Sequence, residues 1–152
     1  MTTKTPSVST YGLTHLALGV KNPDRAFAFY SRVFGMVAVY REIDFIQAQT
    51  PGGRDVLVLQ RAKRGVGKSG GVAHFGFRVT ESAHIARAVT AVRAAGGTVV
   101  EEGEFVAGEP YAFFRDLDGY TVEVWYELPT AVDPKPSRGR RSASRRRRLT
   151  RS

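Results

Sequence analysis

The octapeptide LTHLALGV at residues 13–20 decides the fold, because its pattern returns later in the chain as VAHFGFRV at residues 72–79. Both stretches place a His at the third position, and both alternate their large apolar side chains with a period of two. That period is typical of a β-strand with one buried face. A strand that recurs with its His in register indicates that one structural unit is used twice in this chain.

A helix is predicted after each of the two strands. The first spans Pro23 to about Phe34, with Asn22 at the N-cap position and proline at the first helical position. The second spans about Glu81 to Ala95, with Thr80 or Ser82 as its cap. Each helix is followed by glycine, which commonly ends a helix.

Three further strands are predicted after each helix. They cover Val37–Arg41, about Ile43–Gln49 and Val56–Gln60 in the first half, and Thr98–Glu101, Tyr111–Arg115 and Thr121–Tyr126 in the second. Hairpin connections of this kind exclude a doubly wound parallel sheet. We therefore expect an α+β fold of two βαβββ modules, about residues 11–64 and 70–128, whose mixed sheets curve into a cup with the helices packed outside.

The positive charge of the chain is concentrated at its C-terminus. The formal net charge is +9, but residues 131–152 hold nine basic residues against Asp133 alone and therefore carry +8. We predict a globular domain over residues 11–130, a flexible N-terminus over 1–10 and a disordered Arg-rich tail over 131–152. Such a tail has, at most, a weak and salt-sensitive affinity for nucleic acid or another anionic surface.

Composition excludes several classes of protein. The chain contains no Cys, which rules out disulfides, Cys-ligated zinc, iron–sulfur clusters and a thiol nucleophile. Its longest apolar runs are far too short to cross a membrane, and its polar start lacks the apolar stretch of a signal peptide. We expect a cytoplasmic protein.

Strand periodicity brings three potential metal ligands to the face that points away from the helices. They are His15, His74 and Glu123, each a polar exception in an apolar strand. Two imidazoles and one carboxylate suit Fe(II), Mn(II), Ni(II), Co(II) or Zn(II) and leave positions open for substrate. The alternative is that the His side chains are ordinary hydrogen-bonded residues and that Glu123 pairs with Arg78.

The chain resembles the vicinal oxygen chelate superfamily, which includes glyoxalase I, bleomycin-resistance proteins, fosfomycin-resistance transferases and extradiol dioxygenases. The resemblance covers about residues 11–128 and is carried by the segments THLALGV (14–20), DRAFAFY (24–30), AHFGFRV (73–79) and FRDLDGYTVE (114–123). It implies the fold predicted above and a divalent metal held by His15, His74 and Glu123, the last also being the catalytic residue. It further implies a homodimer, and the three ligands are expected to meet either within one chain or across the contact between two chains, as is common in small members of the superfamily.

The resemblance implies a divalent-metal-dependent enzyme whose small organic substrate is chelated through oxygens, in a reaction of the lyase, isomerase or dioxygenase type. The alternative is a drug-binding protein of the bleomycin-resistance kind, without catalysis. Glyoxalase I has a fourth ligand, a Glu, where this chain has apolar Leu57 or Val58. Candidate substrate contacts in the cup are Gln47, Phe113, Arg115, Tyr120 and Trp125, and either Phe45 or Ile46 lines the cup beside them.

Overall fold

The computed structural model of the chain describes residues 10–134, so the predictions for residues 1–9 and 135–152 lie outside the described residues. Each module folds as βαβββ, as predicted. The first contains β1 (His15–Val20), α1 (Pro23–Phe34), β2 (Val37–Glu42), β3 (Phe45–Gln49) and β4 (Val56–Arg61). The second contains β5 (Phe75–Arg78), α2 (His84–Ala94), β6 (Thr98–Glu104), β7 (Pro110–Arg115) and β8 (Thr121–Trp125).

Each module forms one four-stranded mixed sheet. The strand orders are β1-β4-β3-β2 and β5-β8-β7-β6. In each sheet the first and last strands of the module pair in parallel, and the other neighbours pair antiparallel. The predicted α+β fold with two βαβββ modules is therefore confirmed, and β1 and β5 stand at the edges of their sheets.

Local signals predicted the first helix better than the second. Helix α1 has the predicted bounds, because the Asn22 side chain accepts a hydrogen bond from the Arg25 amide at 3.1 Å and Gly35 ends the helix with φ of 69°. Helix α2 begins at His84, later than predicted, and its N-cap is Ala83, which offers no side-chain acceptor. The predicted cap at Thr80 or Ser82 is wrong, because a turn in which the Glu81 carbonyl accepts from the His84 amide precedes the helix.

The helices pack on one face of each sheet, and the two helices also contact each other. Helix α1 packs on β3 and β4 of its own sheet, and its Phe34 ring stacks on Phe77 of β5 with 3.9 Å between ring centroids. Side chains from both sheets and both helices form one buried core, in which Tyr30 and Val92 are fully enclosed. The face of each sheet that points away from this core is called the cup face below.

Polar contacts also join the modules. The Tyr120 hydroxyl donates to the Gly19 carbonyl at 2.7 Å, and the Lys21 amide donates to the Asp118 carboxylate at 3.0 Å. The Tyr30 hydroxyl donates to the buried Asp116 carboxylate at 2.6 Å. Neither helix in residues 10–134 combines the length and hydropathy that a bilayer span requires.

Candidate metal centre

Glu123 lies in the middle of β8 and points to the cup face. Its neighbours along the strand, Val122 and Val124, are fully buried in the core on the other side. The Glu123 side chain is only 13% exposed. A carboxylate with so little exposure needs a partner, because burying an uncompensated charge costs roughly several kcal/mol.

That partner is His74, which precedes β5 by one residue. Its Nε2 lies 3.2 Å from the Glu123 Oε2, and its ring stands edge-on to Phe113 with 4.9 Å between ring centroids. The alternative pairing of Glu123 with Arg78 is wrong, because the Arg78 guanidinium instead contacts Asp133 at 2.8 Å. Two of the three predicted ligands therefore meet in one protomer.

Gly76, opposite Glu123 on β5, makes room for this pair. A Cβ at this position would lie 2.9 Å from the Glu123 carbonyl oxygen and 2.9 Å from the Cζ3 atom of Trp125. Real Cβ atoms do not approach other atoms so closely, so any larger residue would displace Trp125 or the backbone of β8. The close packing of β5 on β8 holds the Glu123 side chain in place.

His15 occupies the matching position in the first module but does not join the other two ligands. It is exposed on β1, and it shares with His74 a cavity of about 430 Å³ that Glu123 does not line. Within residues 10–134 of a single chain, no three potential ligands converge on one point. The described part of one protomer thus supplies a pair of donors, not the full predicted set.

Strand register shows which residue of the first module matches Glu123. Two residues after His74, Gly76 pairs with Glu123. Two residues after His15, Ala17 pairs with Val58. Val58 is therefore the counterpart of Glu123, whereas Leu57 is paired with Leu16 and belongs to the core. The first module offers one donor and the second offers two.

The donor pair fits a divalent metal ion. Two ligands about 2.1 Å from the same ion and at roughly a right angle lie about 3 Å apart, which matches the separation between His74 and Glu123. An imidazole nitrogen and a carboxylate oxygen suit the first-row divalent ions. A third donor equivalent to His15 would complete a facial set and still leave positions for substrate.

The predicted substrate contacts divide between the cup face and the core. On the second sheet Phe113 stands opposite Glu123, Arg115 opposite Thr121, and Tyr111 opposite Trp125, so all share the cup face. On the first sheet Gln47 pairs with Val58 and lies on the cup face with Phe45, whereas Ile46 is buried in the core. Tyr120 is buried, and its hydroxyl is bound to Gly19, so the structure does not bring it beside Glu123.

Glu101 is a cup-face residue that the sequence did not indicate. Its carboxylate accepts a hydrogen bond from the Tyr111 hydroxyl at 2.6 Å, and this bond raises the pKa of Tyr111 above its usual value. A shift in register between Val99 and Glu101 moves Glu101 opposite Phe113. Strict alternation would have placed it with Val99 on the core face, and no local signal in the sequence marks the bulge.

Comparison with known proteins gives a family match and several similar folds. The sequence model of the Glyoxalase/Bleomycin resistance protein/Dioxygenase superfamily matches residues 12–124. No curated protein matches the chain in sequence.

Similar solved structures include a glyoxalase-related enzyme from Fulvimarina pelagi, with 19% identity, 83% of this chain and 96% of that chain covered, and a TM-score of 0.66. The fosfomycin resistance protein FosX from Listeria monocytogenes has 19% identity over 79% of this chain and 96% of that chain, with a TM-score of 0.65. A lactoylglutathione lyase from Agrobacterium tumefaciens has 23% identity over 78% of this chain and 95% of that chain, with a TM-score of 0.61. At these identities the likeness shows the fold alone.

Proposed function

The chain belongs to the Glyoxalase/Bleomycin resistance protein/Dioxygenase superfamily, and from this premise we propose that it is a divalent-metal-dependent enzyme. Its substrate is a small organic molecule chelated through oxygens, and its reaction is of the lyase, isomerase or dioxygenase type. The observation that carries the proposal is the approach of His74 to Glu123 at 3.2 Å on the cup face. Both residues occur where strand periodicity alone predicts ligands.

The metal site is shared between the protomers of a homodimer. One protomer supplies His74 and Glu123, and His15 of the partner subunit supplies the third donor. The support is that His15 is exposed, sits at the position equivalent to His74, and belongs to no group of three potential ligands within residues 10–134 of its own chain. A two-fold axis would create two identical sites, since an isologous contact repeats itself.

The residues of the cup face have separate roles in this proposal. A divalent metal held by His15, His74 and Glu123 would supply Lewis acidity toward a substrate oxygen. Glu123 is the ligand whose carboxylate stands next to the substrate and accepts a proton from it, while Phe113 keeps the His74 ring in place. The exposed Arg115 offers a cation to substrate oxygens. Gln47, on the same face as His15, and Trp125, on the same face as Glu123, are the further contacts that the two sheets offer to the substrate.

A second candidate function, drug binding without catalysis, is favoured by one observation. Aromatic rings run across the cup face of the second sheet: Phe105 stacks on Tyr111 at 4.2 Å, and Tyr111 meets Phe113 at 5.6 Å. Such a row binds flat or cationic molecules without any metal. A titration of bleomycin followed by Trp125 fluorescence separates the two functions. Binding that ignores both a chelator and His15→Ala supports the drug-binding function.

Metal analysis tests the enzyme proposal. The protein is purified after growth with trace divalent metals and assayed by plasma mass spectrometry, alongside His74→Ala. His84→Ala is the matched control, because His84 is the third His of the chain and starts α2, near Thr80 and Glu81. We expect metal in the wild type and in His84→Ala and its loss in His74→Ala. Equally low metal in all three contradicts the proposal.

A further inference from the structure

Polar contacts of Arg78 hold the last described residues beside the end of β5. The Arg78 guanidinium donates to the Asp133 carboxylate at 2.8 Å and to the carbonyls of Glu127 and Leu128 at 3.1 and 3.3 Å. The same carboxylate accepts from the Thr130 amide at 2.9 Å. These contacts fix residues 127–133, so the chain leaves the described part of the molecule from a defined place.

A cavity of about 290 Å³ adjoins this place on the cup face. It is lined by three carboxylates and three aromatic rings and by no basic side chain: Phe105, Glu109, Glu123, Trp125, Tyr126 and Glu127. Glu127 lies 3.7 Å from Arg78, and Glu109 accepts from the Leu128 amide at 3.2 Å. One guanidinium therefore reaches both the cavity wall and the anchored segment.

The lining has the chemistry that recognises a guanidinium group. Carboxylates accept the forked N–H donors of arginine, and the faces of aromatic rings, Trp above all, attract its charge. Trp125 and Phe105 supply the rings, and Glu127 supplies a carboxylate. A lysine would satisfy this combination less well, because its compact ammonium does not stack.

The chain itself carries the matching ligand. Residues 135–152 contain one Lys and eight Arg and no acidic residue. Arg138 follows Asp133 by five residues, a span of about 17 Å when extended, which is long enough to allow a side chain to enter a cavity next to the anchor. The short tether also gives the segment an effective concentration of about millimolar order at the cavity.

We propose that the Arg-rich segment 135–152 docks in its own protomer on this part of the cup face, with an arginine in the cavity. The inference does not rest on the metal or on the reaction, because the cavity and the anchor are formed by one chain. Its failure would leave the proposed function intact.

Trp125 provides the measurement, since it is the only Trp of the chain and lines the cavity. The full-length protein is compared with a full-length variant in which the eight tail Arg residues are replaced by Gln. Acrylamide should quench Trp125 less in the wild type than in the variant at about 10 mM salt. The difference should vanish near 1 M salt, where the Debye length is about 3 Å. It should not depend on protein concentration, because docking is intramolecular.

A peptide of residues 135–152 added to the Gln variant gives an affinity. Glu127→Gln in that background should weaken peptide binding about fivefold, as expected for the loss of one exposed charge pair. Glu102→Gln is the matched control, because Glu102 pairs with Ala112, on the core side of β7, and lies 3.6 Å from Arg93; it should change nothing.

Three results overturn the proposal. The first is equal quenching of wild type and Gln variant at low salt. The second is a peptide affinity that ignores Glu127→Gln. The third is a difference in quenching that grows with protein concentration, which would show that the Arg-rich segment docks on a second copy of the chain. If duplex DNA binds the full-length protein while the peptide does not change the fluorescence of Trp125, the Arg-rich segment binds nucleic acid instead.

Discussion

Replacing Tyr30 by Phe removes one oxygen from the contact that joins α1 to the second module. The Tyr30 hydroxyl donates to Asp116 at 2.6 Å, and the ring is fully buried. A hydrogen bond to an ionised carboxylate contributes about 1.5–3 kcal/mol, and the Phe ring keeps the packing. We expect the free energy of unfolding to fall by about 2 kcal/mol, or Tm by about 5–10 °C.

This loss should depend on pH. Burial raises the pKa of Asp116, while the bonds from Tyr30 and from the Tyr120 and Asp118 amides lower it, and burial prevails. The folded state therefore holds the Asp116 proton at a higher pH than the unfolded state does, so this group favours folding more as pH falls through that window. The Tyr30→Phe loss should be complete above the raised pKa and should shrink below it.

Urea unfolding followed by circular dichroism at about pH 7 and about pH 4.5 measures both effects. Tyr120→Phe is the matched control, because it removes the same atom from a bond to the neutral Gly19 carbonyl. That change should cost about 1 kcal/mol at either pH. A Tyr30→Phe loss that is no larger than the control, or that stays constant with pH, would refute the reasoning.

Three further predictions concern the metal centre and the chain end. Gly76→Val should displace Trp125 and the Glu123 backbone and abolish metal binding in equilibrium dialysis; retention of metal would show that the close approach is unimportant. Val58→Glu should add a fourth donor and tighten metal binding about tenfold or more in chelator competition, while lowering the stability of the metal-free protein; unchanged affinity would place Val58 outside the site. Arg78 holds the pKa of Asp133 well below its usual range, so the pair contributes stability that is lost only as pH falls through that lowered pKa. Hydrogen exchange in residues 128–134 should therefore be equally protected at about pH 7 and about pH 4.5, and lost protection at the lower value would contradict this.

Alternation along the strands was enough to predict much of the fold and part of the site. It separated Leu18 and Val20, which are buried, from His15, and it separated Val122 and Val124 from Glu123. These assignments succeed because side chains on a strand point to opposite faces in turn, whatever the rest of the chain does.

Features that depend on backbone irregularity were not predictable in this way. Register shifts at corresponding places in the two modules, between Ala38 and Tyr40 and between Val99 and Glu101, interrupt the alternation. Each brings a polar side chain to the cup face: Tyr40 pairs with Gln47, and Glu101 pairs with Phe113. A bulge is fixed by the pairing of neighbouring strands, so one strand read alone does not show it.

The placement of the two sheets relative to each other was also beyond the sequence, and it controls the site. Apolar faces identify which side of a helix or strand is buried, but not which of two sheets covers it. His15 lies on β1 and Glu123 on β8, and these strands belong to different sheets. That arrangement explains why His74 and Glu123 meet in one protomer whereas His15 does not meet them.

Mixing two inactive variants tests the shared metal site most directly. His15→Ala and Glu123→Gln each remove one ligand from both sites of a homodimer, so neither variant alone should bind metal. A mixed dimer made by unfolding and refolding them together has one intact site, formed by His15 of one chain and His74 with Glu123 of the other. Random pairing should restore about a quarter of the wild-type metal content. A mixture that binds no more metal than the separate variants, beside a wild type that does bind, would contradict the shared site.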